Sequence, residues 1–298
     1  MDMVRVTPSG VFDNRARHYR YIEAKPLAAA MGAEIVGADL ATLSDAALDE
    51  VLDALYHHKM VYIRSQRIDH ATHQAFTARL GEFGTDAYTD GMPGAPQVQP
   101  VIKEADESKG SLFGGSWHTD SAFLPRPPSI STLRSVQIPP FGGDTVWANA
   151  VLAHSMLSPA MQRMLAPLKV HMSSSRNSAT VVALNGFVKF ASGAASDQAA
   201  AGSMHPLVRT HPISGEKALY VDETYAVGIE GLTAAESAPI LKFLAEHATQ
   251  HAFTCRLRWE PDMFVMWDNR ICLHSAFNDY DGHRREMYRT TVMGEAPV

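Results

Sequence analysis

The sequence predicts an α+β fold in which a β-barrel or jelly roll forms the core and helices pack outside it. Three observations carry this expectation. Strand-like pieces are short and scattered along the whole chain, and the helical segments do not alternate with them as a doubly wound parallel sheet requires. Size is the third observation, because a chain of 298 residues buries roughly three quarters of its unfolded surface, enough to enclose a dry pocket. With no fixed-period repeat visible, one domain spanning 1–298 is expected.

The elements follow from local chemistry. In Ser44 to His57, Leu48, Val51, Leu52 and Leu55 share one helical face behind the cap candidates Ser44 and Asp45. Ser158-Pro159 opens a second helix, a cap followed by a first-turn proline, with Met161, Met164, Leu165 and Leu168 as its apolar stripe. Thr233-Ala-Ala-Glu236 has the spacing of a reciprocal capping box, and its helix buries Ile240, Leu241 and Leu244. Strands are expected at Val61 to Arg64, Ile130 to Val136, Thr145 to Ala148, Ala218 to Val221, Phe253 to Trp259, Met263 to Trp267 and Met287 to Met293. Between Ser173 and Met204 the residues are small and polar, a composition that suits a mobile lid insertion over 173–204.

Composition excludes several roles. A net charge of −6 opposes binding to phosphate backbones or anionic lipid, so neither nucleic acid nor a membrane is an expected partner. Cys255 and Cys272 are the only two cysteines, each in an apolar strand-like segment, and read as small core residues in a reducing compartment. The first twenty residues carry charge and lack the apolar run of a secretory signal, which points to the cytoplasm. A homo-oligomer is left open.

Trp117-His118-Thr119-Asp120 is the most informative tetrapeptide. In an extended segment side chains alternate with period two, so His118 and Asp120 project from one face and can grip a single ion. One imidazole and one carboxylate leave an ion under-coordinated, so a third ligand must come from elsewhere. With 14 histidines in the chain, a His-x-Asp triplet alone is weak. Its company strengthens it: Met266-Trp267-Asp268-Asn269-Arg270, followed by Cys272 and His274, reads as a strand, a tight turn and a returning strand. Arg285 to Val292 reads as another strand, on which Arg285 and Arg289 share a face. An inward-facing arginine is costly unless it meets an anion, and two suggest two anions.

These segments resemble the taurine dioxygenase and 2,4-dichlorophenoxyacetate dioxygenase family of Fe(II)- and 2-oxoglutarate-dependent oxygenases. The resemblance begins at Gly32-Ala33-Glu34-Ile35 and Gly37-Ala38-Asp39-Leu40 and continues through Trp117-His118-Thr119-Asp120, Gly142-Gly143-Asp144-Thr145 and His205-Pro206-Leu207-Val208-Arg209-Thr210-His211-Pro212. It ends at Trp267-Asp268-Asn269-Arg270 and the final arginines, so it covers most of the chain in order. It implies a double-stranded β-helix, the jelly-roll form of the core, with flanking helices. It further implies that His118, Asp120 and His274 hold Fe(II), that Thr145 and Arg285 bind 2-oxoglutarate, and that Arg289 binds the anionic group of the primary substrate. Two imidazoles and one carboxylate leave positions open for a chelating 2-oxo acid and for O2. The implied reaction hydroxylates a small organic acid (a carboxylate, sulfonate, sulfate ester or aryloxyalkanoate) and releases succinate and CO2.

The match departs from the taurine enzyme at two positions that hold its substrate. Asp86 stands where that enzyme has a histidine, and Gly114 where it has an asparagine, which argues against taurine itself. Glu104-Ala105-Asp106-Glu107-Ser108 and Ile229-Glu230-Gly231-Leu232-Thr233 look closer to the aryloxypropionate dioxygenase branch. Two other readings compete: a jelly-roll metal-binding protein without turnover, and a non-oxidative metalloenzyme for which Thr145 and Arg285 would have no clear use. His247 and His251 have zinc-site spacing but no glutamate base between them, and His57-His58 reads as a solvated helix end.

Overall fold

A computed structural model describes residues 12–85, 91–107, 114–175 and 194–298. Its largest sheet contains seven strands, built in chain order from β1 (Glu23–Pro26), β2 (Ala33–Val36), β3 (Met60–Ile63), β4 (Gln99–Lys103), β5 (Pro128–Gln137), β13 (Phe264–Asp268) and β15 (Arg285–Met293). In space the order is β1-β2-β3-β13-β5-β15-β4. All neighbours are antiparallel except β2 and β3. A three-stranded sheet of β12 (Thr254–Leu257), β6 (Thr145–Asn149) and β14 (Cys272–Ala276) supplies the opposite wall of a pocket. Two smaller sheets comprise β7 (Lys169–Met172) between β11 (Ala226–Ile229) and β8 (Ser203–Pro206), and the pair β9 (Val208–Thr210) and β10 (Lys217–Leu219).

The large sheet has two differently used faces because strand side chains alternate. On β13, Phe264 and Met266 join the core cluster beneath helix α1 (Asp45–His58), whereas Val265 and Trp267 belong to the cluster on the pocket side. On β3, Val61 and Ile63 face outward and Met60 and Tyr62 inward. The same alternation places Arg285 and Arg289 of β15 on the pocket face, while Thr290 and Val292 meet the outer layer.

The three helices expected from the sequence form as α1, α4 (Pro159–Leu165) and α6 (Ala234–Ala248). Ser44, Ser158 and Thr233 cap them, and Thr233 and Glu236 close the capping box. Helix α3 (Ala150–Ser155) adds a short turn capped by Asn149. Helix α2 (His70–Leu80) was not legible, for its buried face is largely polar. His73 meets the Thr132 hydroxyl at 2.6 Å, and Thr77 meets that of Thr290 at 2.6 Å.

Most of the expected lid insertion, 176–193, lies outside the described residues. Its flanks are anchored. Ala194–Ala201 forms helix α5, as its alanine content favours, and the hydroxyl of Ser173 donates to the Ala200 carbonyl at 2.5 Å. His58 corrects the expectation of a solvated helix end: it is wholly buried, with Nδ1 2.6 Å from Asn14 Oδ1. Among the described residues no helix is long and apolar enough to cross a membrane.

Candidate active site

His118, Asp120 and His274 converge beside the pocket between the two main sheets, which the two histidines line. His118 and Asp120 share one segment and His274 lies on β14; one antiparallel bridge joins the two, in which the His118 N–H donates to the His274 carbonyl at 3.0 Å and the His274 N–H donates to the His118 carbonyl at 2.8 Å. Asp120 Oδ1 lies 3.9 Å from Nε2 of each histidine. Among the described residues this is the only group of three such side chains able to share an ion, with ligand atoms within 4.8 Å of one another and all three residues buried.

The protonation states suit a cation. Burial lowers both imidazoles, His274 to about 3, so both are neutral near pH 7. The Nδ1–H of His118 donates to the Ser116 carbonyl at 2.8 Å, which leaves the Nε2 lone pair facing Asp120. Burial pushes the Asp120 carboxyl up, but Arg289 and the two imidazoles outweigh it and hold it at about 2. This donor set, two neutral imidazoles and one carboxylate, fits a divalent first-row metal.

Asp120 is tied on its far side. Ser131 of β5 donates to Oδ2 at 2.5 Å, and Asn269 Nδ2 donates to the Ser131 hydroxyl at 2.8 Å. Asn269 Oδ1 accepts from Trp267 Nε1 at 2.9 Å. In the same turn Asp268 and Arg270 point the other way, pairing with each other and, through Asp268, with His211 at 3.0 Å. Ser131 escaped sequence reasoning because nothing local distinguishes it, while Asn269 sat inside a motif already singled out.

Thr145, Arg285 and Arg289 line the same pocket as His118 and His274. The Thr145 hydroxyl accepts from Trp259 Nε1 at 2.9 Å, so its own proton is left to donate into the pocket. Arg285 is 3% exposed and lies over the Trp259 and Tyr280 rings at 5.8 and 6.0 Å, and no carboxylate among the described residues hydrogen-bonds it. Burial accordingly lowers its pKa. Gly142 and Gly143, with φ of +72° and +68°, make this packing possible: a Cβ on Gly142 would stand 2.5 Å from the Asp279 carbonyl, and one on Gly143 3.3 Å from Arg285 Cδ. Arg289 differs from Arg285, for it donates to Asp120 Oδ1 at 3.1 Å. Gly114 lines the pocket beside His118, and Asp86 lies outside the described residues. His247 is committed elsewhere, with Nε2 2.8 Å from the Ala153 carbonyl.

Comparison with known proteins places these features in context. The model of the taurine catabolism dioxygenase TauD, TfdA family matches residues 23–291. An alpha-ketoglutarate-dependent sulfate ester dioxygenase of Pseudomonas putida is 33% identical over 95% of this chain and 93% of its own. An alpha-ketoglutarate-dependent 2,4-dichlorophenoxyacetate dioxygenase of Cupriavidus pinatubonensis is 36% identical over 66% of each chain. The crystal structure of a taurine dioxygenase from Burkholderia xenovorans superposes with a TM-score of 0.76 at 34% identity, covering 94% of this chain and 93% of that one.

Proposed function

We propose that this chain, which belongs to the taurine catabolism dioxygenase TauD, TfdA family, couples the oxidative decarboxylation of 2-oxoglutarate to hydroxylation of a small organic anion. One observation carries the assignment of the pocket. Arg285 is a buried cation with no hydrogen-bonded carboxylate of its own among the described residues, and it lines the same cavity as His118 and His274 of the three-residue cluster. Burying such a charge is unfavourable unless an anion arrives to meet it. The distal carboxylate of 2-oxoglutarate is that anion in our reading, with Thr145 donating its hydroxyl proton to another carboxylate oxygen.

His118, Asp120 and His274 would hold Fe(II), which when bound supplies the redox chemistry that activates O2. The residues then divide the remaining work. Ser131 and Asn269 fix the Asp120 carboxylate, Arg285 and Thr145 orient the cosubstrate, and Trp147 and Trp267, each about 2% exposed or less, keep the pocket dry. Arg289 recruits the anionic group of the substrate beside the ligand cluster. Overall, 2-oxoglutarate, O2 and R–H become succinate, CO2 and R–OH, one oxygen atom entering each organic product. We read the two main sheets as the halves of a double-stranded β-helix, and the two buried free cysteines as fitting a reducing cytoplasm.

The named relatives act on sulfate esters and 2,4-dichlorophenoxyacetate, and sulfate esters, sulfonates and aryloxyalkanoates are therefore the proposed substrate classes. Succinate formation and oxygen uptake across panels of these compounds test the proposal. Activity that requires both Fe(II) and 2-oxoglutarate is expected. Metal binding without any 2-oxoglutarate consumption would favour a non-catalytic metal-binding protein instead.

A further inference from the structure

Among the described residues the Trp117–Asp120 segment belongs to no extended ladder, and its only strand-like pairing is the single bridge between His118 and His274. In an extended backbone the polar groups of successive residues point to opposite edges. The bridge satisfies the His118 edge and leaves Trp117 and Thr119 facing the other way, where the Thr119 N–H is buried and needs a partner and the Trp117 groups lie nearer the surface. A turn more than one hundred positions later provides them with side chains. Asp222 Oδ2 accepts the Thr119 N–H at 3.3 Å, Glu223 Oε1 accepts the Trp117 N–H at 3.0 Å, and the Thr224 hydroxyl donates to the Trp117 carbonyl at 2.9 Å.

We propose that Asp222, Glu223 and Thr224 are positioning residues, a side-chain substitute for a missing edge strand that holds His118 and Asp120 in the ligand-presenting conformation. The inference rests on the metal-site reading above. Asp222 is 2% exposed and uses both oxygens as acceptors, for Oδ1 takes the Tyr225 N–H at 2.6 Å. Burial pushes its carboxyl up to about 7 against the pull of those backbone N–H groups, so the fold retains a costly group here that simple space-filling would not require. Glu223 needs only one acceptor oxygen. The two acids therefore differ in a testable way: an amide can replace Glu223, whereas an amide at Asp222 turns an NH2 group toward a backbone N–H.

Co(II) titration of the metal-free protein, read by the ligand-field absorption of the bound ion, tests this alongside the melting temperature of each metal-free variant. Asp222→Asn and Glu223→Ala should each weaken Co(II) binding by roughly 10- to 100-fold and alter the absorption band. Glu223→Gln should bind and absorb like wild type. Melting of Asp222→Asn should change little, because the neutral amide also removes a buried charge. Asp120→Ala is the control for the site itself. Wild-type Co(II) affinity in Asp120→Ala would overturn the ligand assignment. Loss there, with normal affinity and spectrum in both Asp222→Asn and Glu223→Ala, would overturn the positioning role alone. If Asp222→Asn does not fold, equal affinities for Glu223→Ala and Glu223→Gln overturn it.

Discussion

Arg285→Met should weaken 2-oxoglutarate binding severely while leaving the ligand-free protein more stable. The guanidinium is 3% exposed and meets aromatic faces, with no hydrogen-bonded carboxylate among the described residues. Methionine keeps most of the stem that packs near Gly143 and discards the charge. A charge-assisted hydrogen bond contributes about 1.5–3 kcal/mol, and a guanidinium can offer two to one carboxylate. A loss of about 3–4 kcal/mol, or ~150- to 1000-fold in Kd, is expected. In the ligand-free state the variant no longer buries an uncompensated cation, and a gain of about 1 kcal/mol would raise Tm by a few degrees. Isothermal titration of 2-oxoglutarate into Co(II)-loaded protein gives the first quantity and thermal melting the second. Unchanged affinity together with a lower Tm would show that Arg285 is structural and refute the cosubstrate assignment.

Arg289→Ala should raise KM for the primary substrate by about 100-fold or more, a buried charged partner being worth roughly 2–5 kcal/mol, while 2-oxoglutarate affinity changes much less and uncoupled succinate formation persists. Equal damage to both affinities would remove its separate role. Metal-free protein should lose stability as pH falls below 6.5. Burial depresses His58 to about 4 and His73 to about 3, so the unfolded chain takes up protons near pH 6.5 that the folded chain refuses. The stability present above pH 6.5 is lost progressively toward those folded values, by about 2 kcal/mol per histidine at pH 5. His73→Gln should flatten this acid limb in urea unfolding series, and an equally steep limb would exclude His73.

Local and periodic determinants are legible in the sequence. The capping box at Thr233, the alternation along β13 and the spacing of His118 and Asp120 are all readable within a few residues. Polar burial is not. Helix α2 turns His73 and Thr77 inward, and only the hydroxyls of Thr132 and Thr290, from distant strands, make that favourable. His58 looked like a solvated end because its partner, Asn14, lies 44 positions away. The alanine run of α5 resembled loop composition since small residues carry no apolar stripe, even though alanine favours helix. Residues that hold the ligands fared worst. Ser131 and Asp222 act through register and a long-range turn, which a linear pattern does not encode. The sequence thus named residues that the fold brings together, His118, Asp120 and His274 with Thr145, Arg285 and Arg289 nearby, but not what fixes their orientation.

The charges around the pocket constrain the substrate further. Burial keeps His118 and His274 neutral, so among the described charged residues that line the pocket or pair with its lining, Arg285 and Arg289 against Asp120 leave one net positive charge. Nearby Lys103 and Asp144 are balanced separately by Asp281 and Arg256. A divalent ion raises the total to three. 2-Oxoglutarate supplies two negative charges, and the third is left for the substrate. A monoanion closes the balance, whereas a neutral molecule or a zwitterion leaves a buried positive charge uncompensated. Between substrates of equal size, 1-propanesulfonate should therefore be preferred over 2-aminoethanesulfonate, whose ammonium restores the excess charge. A preference of at least ~10-fold in kcat/KM is expected, equivalent to about 1.4 kcal/mol of differential stabilisation. Coupled succinate assays at fixed pH measure it directly. Equal or reversed preference would mean that another acidic group faces the substrate, and the assignment to simple organic anions would fall even with the metal and cosubstrate sites intact.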